Sequence, residues 1–361
     1  DFVGRDKWQL ILGDQYVGRS PHEVAPETLL RAYRRSLTHD CRRLPLPVVD
    51  PRFLRAGPET PLSLSDVYVD LDVLAPVREE RGKERDERAF LGRLLRAEGG
   101  ERAPLLEAVA HQHVTRFVLV GEAGSGKTTF VNYVAYALAT TAPNARTPLL
   151  PEESPLQGML PVRLILRDAA ARCIPAKSAK GEAGMLWRAL RADLAARLGE
   201  DAAAALFPYL QGRLLEEGGL ILLDGLDEVP AADRRRACLL EAIADLGAVL
   251  PSDKSRVVVT ARPYAYADPA WRLSDFETLV LAPFSDEQVE RFVARWYQAV
   301  PSTMGWDAAT AQERRERLRD ALTERPYLAD LAARPLLLTL MATLHTSWGQ
   351  LPEDRANLFE E

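Results

Sequence analysis

Long apolar runs are missing from this chain of 361 residues: no stretch reaches the roughly 18 residues that a bilayer-spanning helix needs, so no membrane partner is expected. Cysteine is scarce. Cys41, Cys173 and Cys238 are odd in number and far apart, which excludes a disulfide framework or a zinc-ligand cluster and suits a reducing compartment, here the cytoplasm. An excess of positive charge is also absent. The net charge of -6 gives no general attraction to nucleic acid or anionic lipid, so nucleic acid is not expected as the main partner. Lysine is rare, and the basic residues are almost all Arg; in a chain rich in Ala, Arg and Leu that reflects composition rather than phosphate recognition. A guanine-specifying motif of the N-K-x-D type is missing as well. What remains is a globular chain with 47% hydrophobic residues, long enough for two or three domains. It opens on Asp rather than Met and stops at Glu360-Glu361 inside a helical stretch, so a piece of a longer protein is expected.

The strongest signal is Gly121-Glu122-Ala123-Gly124-Ser125-Gly126-Lys127-Thr128, which fits the phosphate-cradling pattern G-x-x-x-x-G-K-[ST] at every fixed position. Arg116 to Val120 before it reads as a strand, and Phe130 to Leu138 after it reads as a helix, the setting this loop requires. The glycines let successive backbone N–H groups point at phosphate, and the helix N-terminus adds partial positive charge. Lys127 neutralises terminal phosphate oxygens, while the Thr128 hydroxyl reaches Mg²⁺. Gly121 through Thr129 is thus the expected nucleotide-binding stretch.

A second apolar run, Gly219 to Leu223, closes on Asp224, as a buried central strand does when it delivers a carboxylate beside the phosphates. Asp224 is therefore the expected second Mg²⁺ ligand. Asp227 and Glu228 follow it, and either can orient or deprotonate the attacking water. Further strands are expected at Pro161–Leu166, Arg256–Thr260 and Thr278–Leu281, separated by helical stretches such as Leu186–Leu198 and Arg234–Leu246. That makes five parallel strands covered by helices. A strand between the phosphate loop and the Asp224 strand indicates the additional-strand branch of P-loop proteins, with order 5-1-4-3-2. The fourth strand delivers Arg262 to the phosphate edge, where a guanidinium can hydrogen-bond a terminal phosphate and sense its loss.

Together the phosphate loop, Leu222-Leu223-Asp224-Gly225-Leu226-Asp227-Glu228 and Thr260-Ala261-Arg262-Pro263 resemble the NACHT subgroup of the signal-transduction ATPases with numerous domains. The doubled acid after Asp224 is the most telling feature. The similarity extends through Leu281-Ala282-Pro283-Phe284-Ser285, Arg334-Pro335-Leu336-Leu337-Leu338-Thr339-Leu340 and Leu351-Pro352-Glu353-Asp354-Arg355-Ala356, and upstream to Pro61 through Val69. The resemblance implies an α/β P-loop NTPase followed by a small helical domain and the start of a winged-helix domain. It also implies that Pro335 packs near the base and first phosphates of the nucleotide, although by itself Pro335 marks only a helix breaker. His345 stands ten residues after Pro335 and ahead of the expected winged helix, so it is not matched to the phosphate-contacting histidine of some animal relatives. Ser285-Asp286-Glu287-Gln288 is a capping box, and Val289, Phe292, Val293, Trp296 and Tyr297 follow at helical spacing, an apolar stripe read as core.

The expected domains are a short β-like N-terminal element at 1–26, a helical and Pro-rich lead-in at 27–110 and the nucleotide-binding domain at 111–283. The small helical domain at 284–347 and the start of a winged helix at 348–361 follow. Phe2-Val3-Gly4-Arg5-Asp6 weakly resembles the adenine-side motif of related switch ATPases but lies too far from the phosphate loop. Leu29, Leu30, Tyr33 and Leu37 define a helix whose outer face carries Arg31, Arg34 and Arg35, with Arg42 and Arg43 beyond, read as a solvated or interdomain face. Arg78 to Arg88 reads as exposed and Leu44 to Pro61 as a linker.

The function these residues suggest is an ATP/ADP-dependent switch with slow ATPase activity, using Mg²⁺, with Lys127, Asp227, Glu228 and Arg262 in the catalytic roles. The resemblance implies self-association on activation and, for a bacterial member, antiphage innate immunity. An unknown trigger, which could be a phage component, and an effector domain outside this chain complete that expectation. The alternative is a motor ATPase stimulated by nucleic acid, helicase- or remodeller-like. A GTPase and a scaffold that never hydrolyses its nucleotide are weaker alternatives.

Overall fold

A computed structural model of the chain describes residues 24–44, 62–74, 102–110, 115–140, 149–151, 153–175, 178, 180–230 and 234–351. The N-terminal element with its Phe2–Asp6 motif, Pro45 to Pro61 of the expected linker, the Arg78–Arg88 run and Pro352 to Glu361 of the expected winged helix lie outside those residues.

Seven strands form one mixed sheet: β1 (Asp72–Leu74), β2 (Arg102–Pro104), β3 (Arg116–Val120), β4 (Pro161–Ile165), β5 (Leu220–Asp224), β6 (Arg256–Ala261) and β7 (Glu277–Leu281), in the order β2-β1-β7-β3-β6-β5-β4. The last five are parallel to one another. Counted from the phosphate-loop strand β3, their order is 5-1-4-3-2, as the sequence predicts. The central strands β5 and β6 are buried at every position, which is why they read as unbroken apolar runs rather than alternating ones.

The expected count of five strands is too low. β1 pairs antiparallel with β7, placing Val73 opposite Leu281, and β2 pairs antiparallel with β1. Both are three residues long, and β2 is exposed throughout, so neither carries a hydrophobic pattern that a local reading can detect. The Ala282 N–H donates to the Asp72 carbonyl at 2.9 Å, and Arg102 donates to the Pro283 carbonyl at 2.9 Å. The lead-in is thereby stitched onto the far edge of the nucleotide-binding sheet.

Among the described residues, the helices preceding the phosphate loop are α1 (Pro26–Cys41), a single turn α2 (Leu64–Val67) and α3 (Leu105–Ala110). Leu29, Leu30, Tyr33 and Leu37 of α1 are buried, and Tyr33 Oη donates to the Pro161 carbonyl at 3.2 Å. After β3 comes α4 (Lys127–Ala139), which packs on α1, β4 and β5. It starts three residues earlier than the apolar pattern alone indicates because Gly126, at φ 96°, caps it and makes Lys127 the first helical residue. α5 (Leu166–Cys173), α6 (Ala183–Leu198), α7 (Glu200–Glu216), α8 (Arg235–Val249) and the short α9 (Pro263–Ala267) complete the nucleotide-binding layer.

Four further helices follow: α10 (Asp286–Met304), α11 (Ala308–Glu324), α12 (Pro326–Ala332) and α13 (Pro335–Trp348). The Ser285–Gln288 capping box is formed in both directions, at 3.3 and 2.9 Å. Gln288 is 1% exposed, and its Nε2 donates to the Asp70 carbonyl at 2.8 Å. Arg295, two turns on, donates to the Tyr68 carbonyl at 2.5 Å. Side chains of α10 therefore grip the backbone of the lead-in. Asp70 itself accepts hydrogen bonds from Tyr68 Oη and the Leu106 N–H, while burial pushes its carboxyl up to about 6. No single helix among the described residues is long and apolar enough to cross a membrane, and α12 and α13, which have the composition only as a pair, meet at 119°.

Gln288→Ala removes one end of the capping box and the tie to Asp70, leaving a partly buried carbonyl without its donor. It is expected to lower stability by about 2 kcal/mol. Thermal unfolding beside Glu287→Ala, an exposed neighbour in the same turn expected to change stability by less than about 0.5 kcal/mol, checks it.

Candidate nucleotide site

The phosphate loop turns on two glycines. Gly124 and Gly126 have φ of 76° and 96°, a region that L side chains rarely adopt. Space is the second constraint. A Cβ on Gly124 would stand 3.1 Å from Leu336 Cβ, and one on Gly126 would stand 3.1 Å from a Leu71 methyl and 3.7 Å from Pro335 Cγ. The loop is therefore sandwiched between the lead-in and the first turn of α13. The Leu336 N–H donates to the Gly124 carbonyl at 3.1 Å. Pro335, at the first position of α13, has no N–H to leave unsatisfied and is preset for a helix start. It begins a helix here rather than breaking one.

Lys127 extends back over the loop. Its Nζ donates to the carbonyls of Gly121 at 2.5 Å and Glu122 at 2.8 Å, and lies 3.5 Å from Ser125 Oγ. Burial pulls its ammonium below the usual lysine range, with Arg262 acting in the same direction and Asp227 and Asp224 opposing. Thr128 Oγ1 donates to Asp224 Oδ1 at 3.3 Å, so the two expected Mg²⁺ ligands stand side by side.

Asp224 ends β5 and is 7% exposed. Its Oδ1 also accepts from Thr260 Oγ1 at 2.6 Å, while Thr260 Oγ1 accepts from the Gly225 N–H at 2.8 Å. Arg163 lies 4.0 Å from Asp224 Oδ2. One hydroxyl on β6 thus aims the carboxylate and satisfies the turn after it. Gly225, at φ 83°, then reverses the chain into a short 3₁₀ turn, Leu226–Glu228. The two acids of that turn have different partners: Asp227 Oδ2 lies 2.9 Å from Arg262 Nε, and Glu228 Oε2 lies 3.3 Å from an Arg167 guanidinium nitrogen.

Apart from Arg163 and Arg167, the groups around Asp224, Asp227 and Glu228 line one cavity of about 620 Å³ that also includes Lys127, Thr129 and Pro335, within the size range of small-ligand sites. One end is polar, with Lys127, Thr128, Asp224, Asp227, Glu228 and Arg262; the walls elsewhere include Leu64, Val67, Tyr68, Leu71, Phe284 and Phe292. The expected site residues fall together, apart from Gly121, Glu122 and Ser125, which hold Lys127 from behind. His345 lies elsewhere: it is 1% exposed and hydrogen-bonds Tyr297 Oη at 2.6 Å. Burial, with Arg314 and Arg317 nearby, pushes its imidazole down to about 4.

Several lining residues carry no signal in the sequence. Phe292 belongs to the stripe read as core, and at 5% exposure it is core-like while also lining the cavity. Leu71 is an apolar residue with no motif, and Leu336 stands in the Arg334–Leu340 stretch without being singled out there. Thr260 sits inside a motif, yet its hydrogen bond to Asp224 depends on the neighbouring strand.

A polar pocket at the C-terminal edge of a 5-1-4-3-2 parallel sheet, holding a phosphate loop, a helix N-terminus and a strand-end carboxylate, defines a P-loop NTPase of the additional-strand branch. The NACHT domain family model matches residues 115–300, just over half of the chain. The chain belongs to the NACHT family. Among curated proteins none matches it.

The residues present fit a nucleoside phosphate with Mg²⁺. The glycine loop leaves its N–H groups free of Cβ cover, Lys127 lies at the polar end, and Thr128 with Asp224 offers the small protein-supplied ligand set that Mg²⁺ accepts while keeping waters. Thr260→Val keeps the shape of the side chain but leaves Asp224 and the Gly225 N–H without their shared partner. It is expected to weaken Mg²⁺-dependent nucleotide binding about tenfold and to change Mg²⁺-free binding less than threefold, as measured by titration calorimetry with and without chelator.

Proposed function

We propose that this chain is an ATP/ADP-dependent signalling switch. The observation that carries the reading is the seam itself: the cavity lies between the phosphate loop and the start of α13, and the Leu336 N–H bonds the Gly124 carbonyl across it. A nucleotide held there touches two parts of the chain at once, so its state can bias their arrangement.

In this reading Lys127 and the N-terminus of α4 hold the β- and γ-phosphates, and Thr128 and Asp224 hold Mg²⁺. Mg²⁺, when bound, neutralises charge on the phosphate oxygens. Glu228, at the more exposed rim, orients the attacking water, while Asp227 is the partner of Arg262. Arg262 meets the terminal phosphate. The apolar walls and Pro335 take the base, and the lack of a guanine-specifying motif favours adenine. Hydrolysis is slow, suited to resetting a switch rather than to steady work. We further propose self-association on activation, an antiphage role in a bacterial host, a trigger such as a phage component, an effector domain outside this chain and a cytoplasmic location; the three cysteines, all free thiols, are compatible with that location.

Freshly purified protein, denatured and analysed by chromatography, is expected to release close to one ADP per chain, and Lys127→Ala to release none. Empty sites in the native chain, with rapid ATP turnover on adding DNA or RNA, would instead establish the motor reading.

A further inference from the structure

The two acids after Gly225 are adjacent in sequence but their surroundings differ. Glu228 pairs with Arg167 at the rim, where the two side chains are 45% and 58% exposed. The Asp227 side chain is only 10% exposed, and its Oδ2 forms an ion pair with Arg262, 2.9 Å from Nε. Both members of the Asp227–Arg262 pair line the cavity beside Lys127. A guanidinium whose Nε already faces a carboxylate must leave it, or share it, to meet another anion with full strength.

We propose that Asp227 sets the discrimination between triphosphate and diphosphate, by competing with the terminal phosphate for Arg262. The inference rests on the reading that this cavity holds ATP and ADP. With a diphosphate the chain ends one phosphate short of Arg262, and the ion pair persists. With a triphosphate Arg262 turns to the γ-phosphate, and Asp227 loses its partner beside the loop. That loss weakens triphosphate binding while leaving diphosphate binding untouched, so the pair biases the resting protein toward ADP. Asp227 is on this account a specificity-determining residue, and the two acids divide their tasks: Asp227 governs Arg262, and Glu228 governs water.

The test is the ratio of affinities for β,γ-imido-ATP and ADP, each with Mg²⁺, measured by calorimetry. Asp227→Asn is expected to raise the relative affinity for the imido-triphosphate about five- to tenfold. Glu228→Gln removes the same charge one residue away and should move the ratio less than twofold, which separates the ion pair from general charge removal. In an Arg262→Ala background, Asp227→Asn should leave the ratio where Arg262→Ala alone puts it. A ratio unmoved by Asp227→Asn, moved equally by Glu228→Gln, or moved as much without Arg262 would overturn the proposal. Asp227→Ser serves the same comparison if Asp227→Asn fails to fold. Failure of the native chain to bind either nucleotide would instead overturn the reading of the cavity.

Discussion

The contact between the phosphate loop and the start of α13 is the constraint on which the rest of the site depends. It favours glycine at two positions, because both have positive φ and a Cβ would crowd Leu336 or Leu71 at 3.1 Å. Pro335 suits the first position of α13, where no backbone N–H is needed. The contact also requires that α13 be held from elsewhere, since one hydrogen bond contributes only about 1 kcal/mol. That support comes from the helical layer: the Phe284 N–H bonds the Ala333 carbonyl, and α13 packs against α10, α11 and α12. α10 in turn grips the lead-in through Gln288 and Arg295, and the lead-in closes the circuit by covering Gly126 with Leu71.

Electrostatics divide the cavity in a way the packing alone does not. At the polar end Lys127 is buried enough to lose basicity, and the nearby Asp224 and Asp227 hold it charged against Arg262. Asp224 is aimed by Thr260 and Thr128, so the metal-side carboxylate is fixed by strands and a helix rather than by a loop. Asp227 and Arg262, by contrast, form a pair with one buried and one half-exposed member. On the proposed reading, Asp224 belongs to the half that binds and the Asp227–Arg262 pair to the half that reports.

How much of this was legible in the sequence follows from the range of each signal. The five parallel strands were readable because buried central strands are continuous apolar runs, and the phosphate loop because its spacing is local. β1 and β2 were not, since three-residue strands have no period and their pairing is fixed by partners far along the chain. The helix of the stripe Val289 to Tyr297 was visible, but a core leucine or phenylalanine and one lining a cavity wall are chemically alike, so the roles of Phe292 and Leu71 were hidden. Asp227 and Glu228 could be named as a pair of acids; their separation by partner, Arg262 against Arg167, depends on strand ends that only the folded sheet brings together.

The central claim is that one nucleotide touches the phosphate loop, the lead-in and α13 together. Hydrogen exchange measured by mass spectrometry, with and without saturating ADP and Mg²⁺, tests it directly. The account predicts protection in residues 68–71, 121–129 and 335–339 at the same ligand concentration. Protection confined to residues 121–129, with the other two segments unchanged, would contradict it.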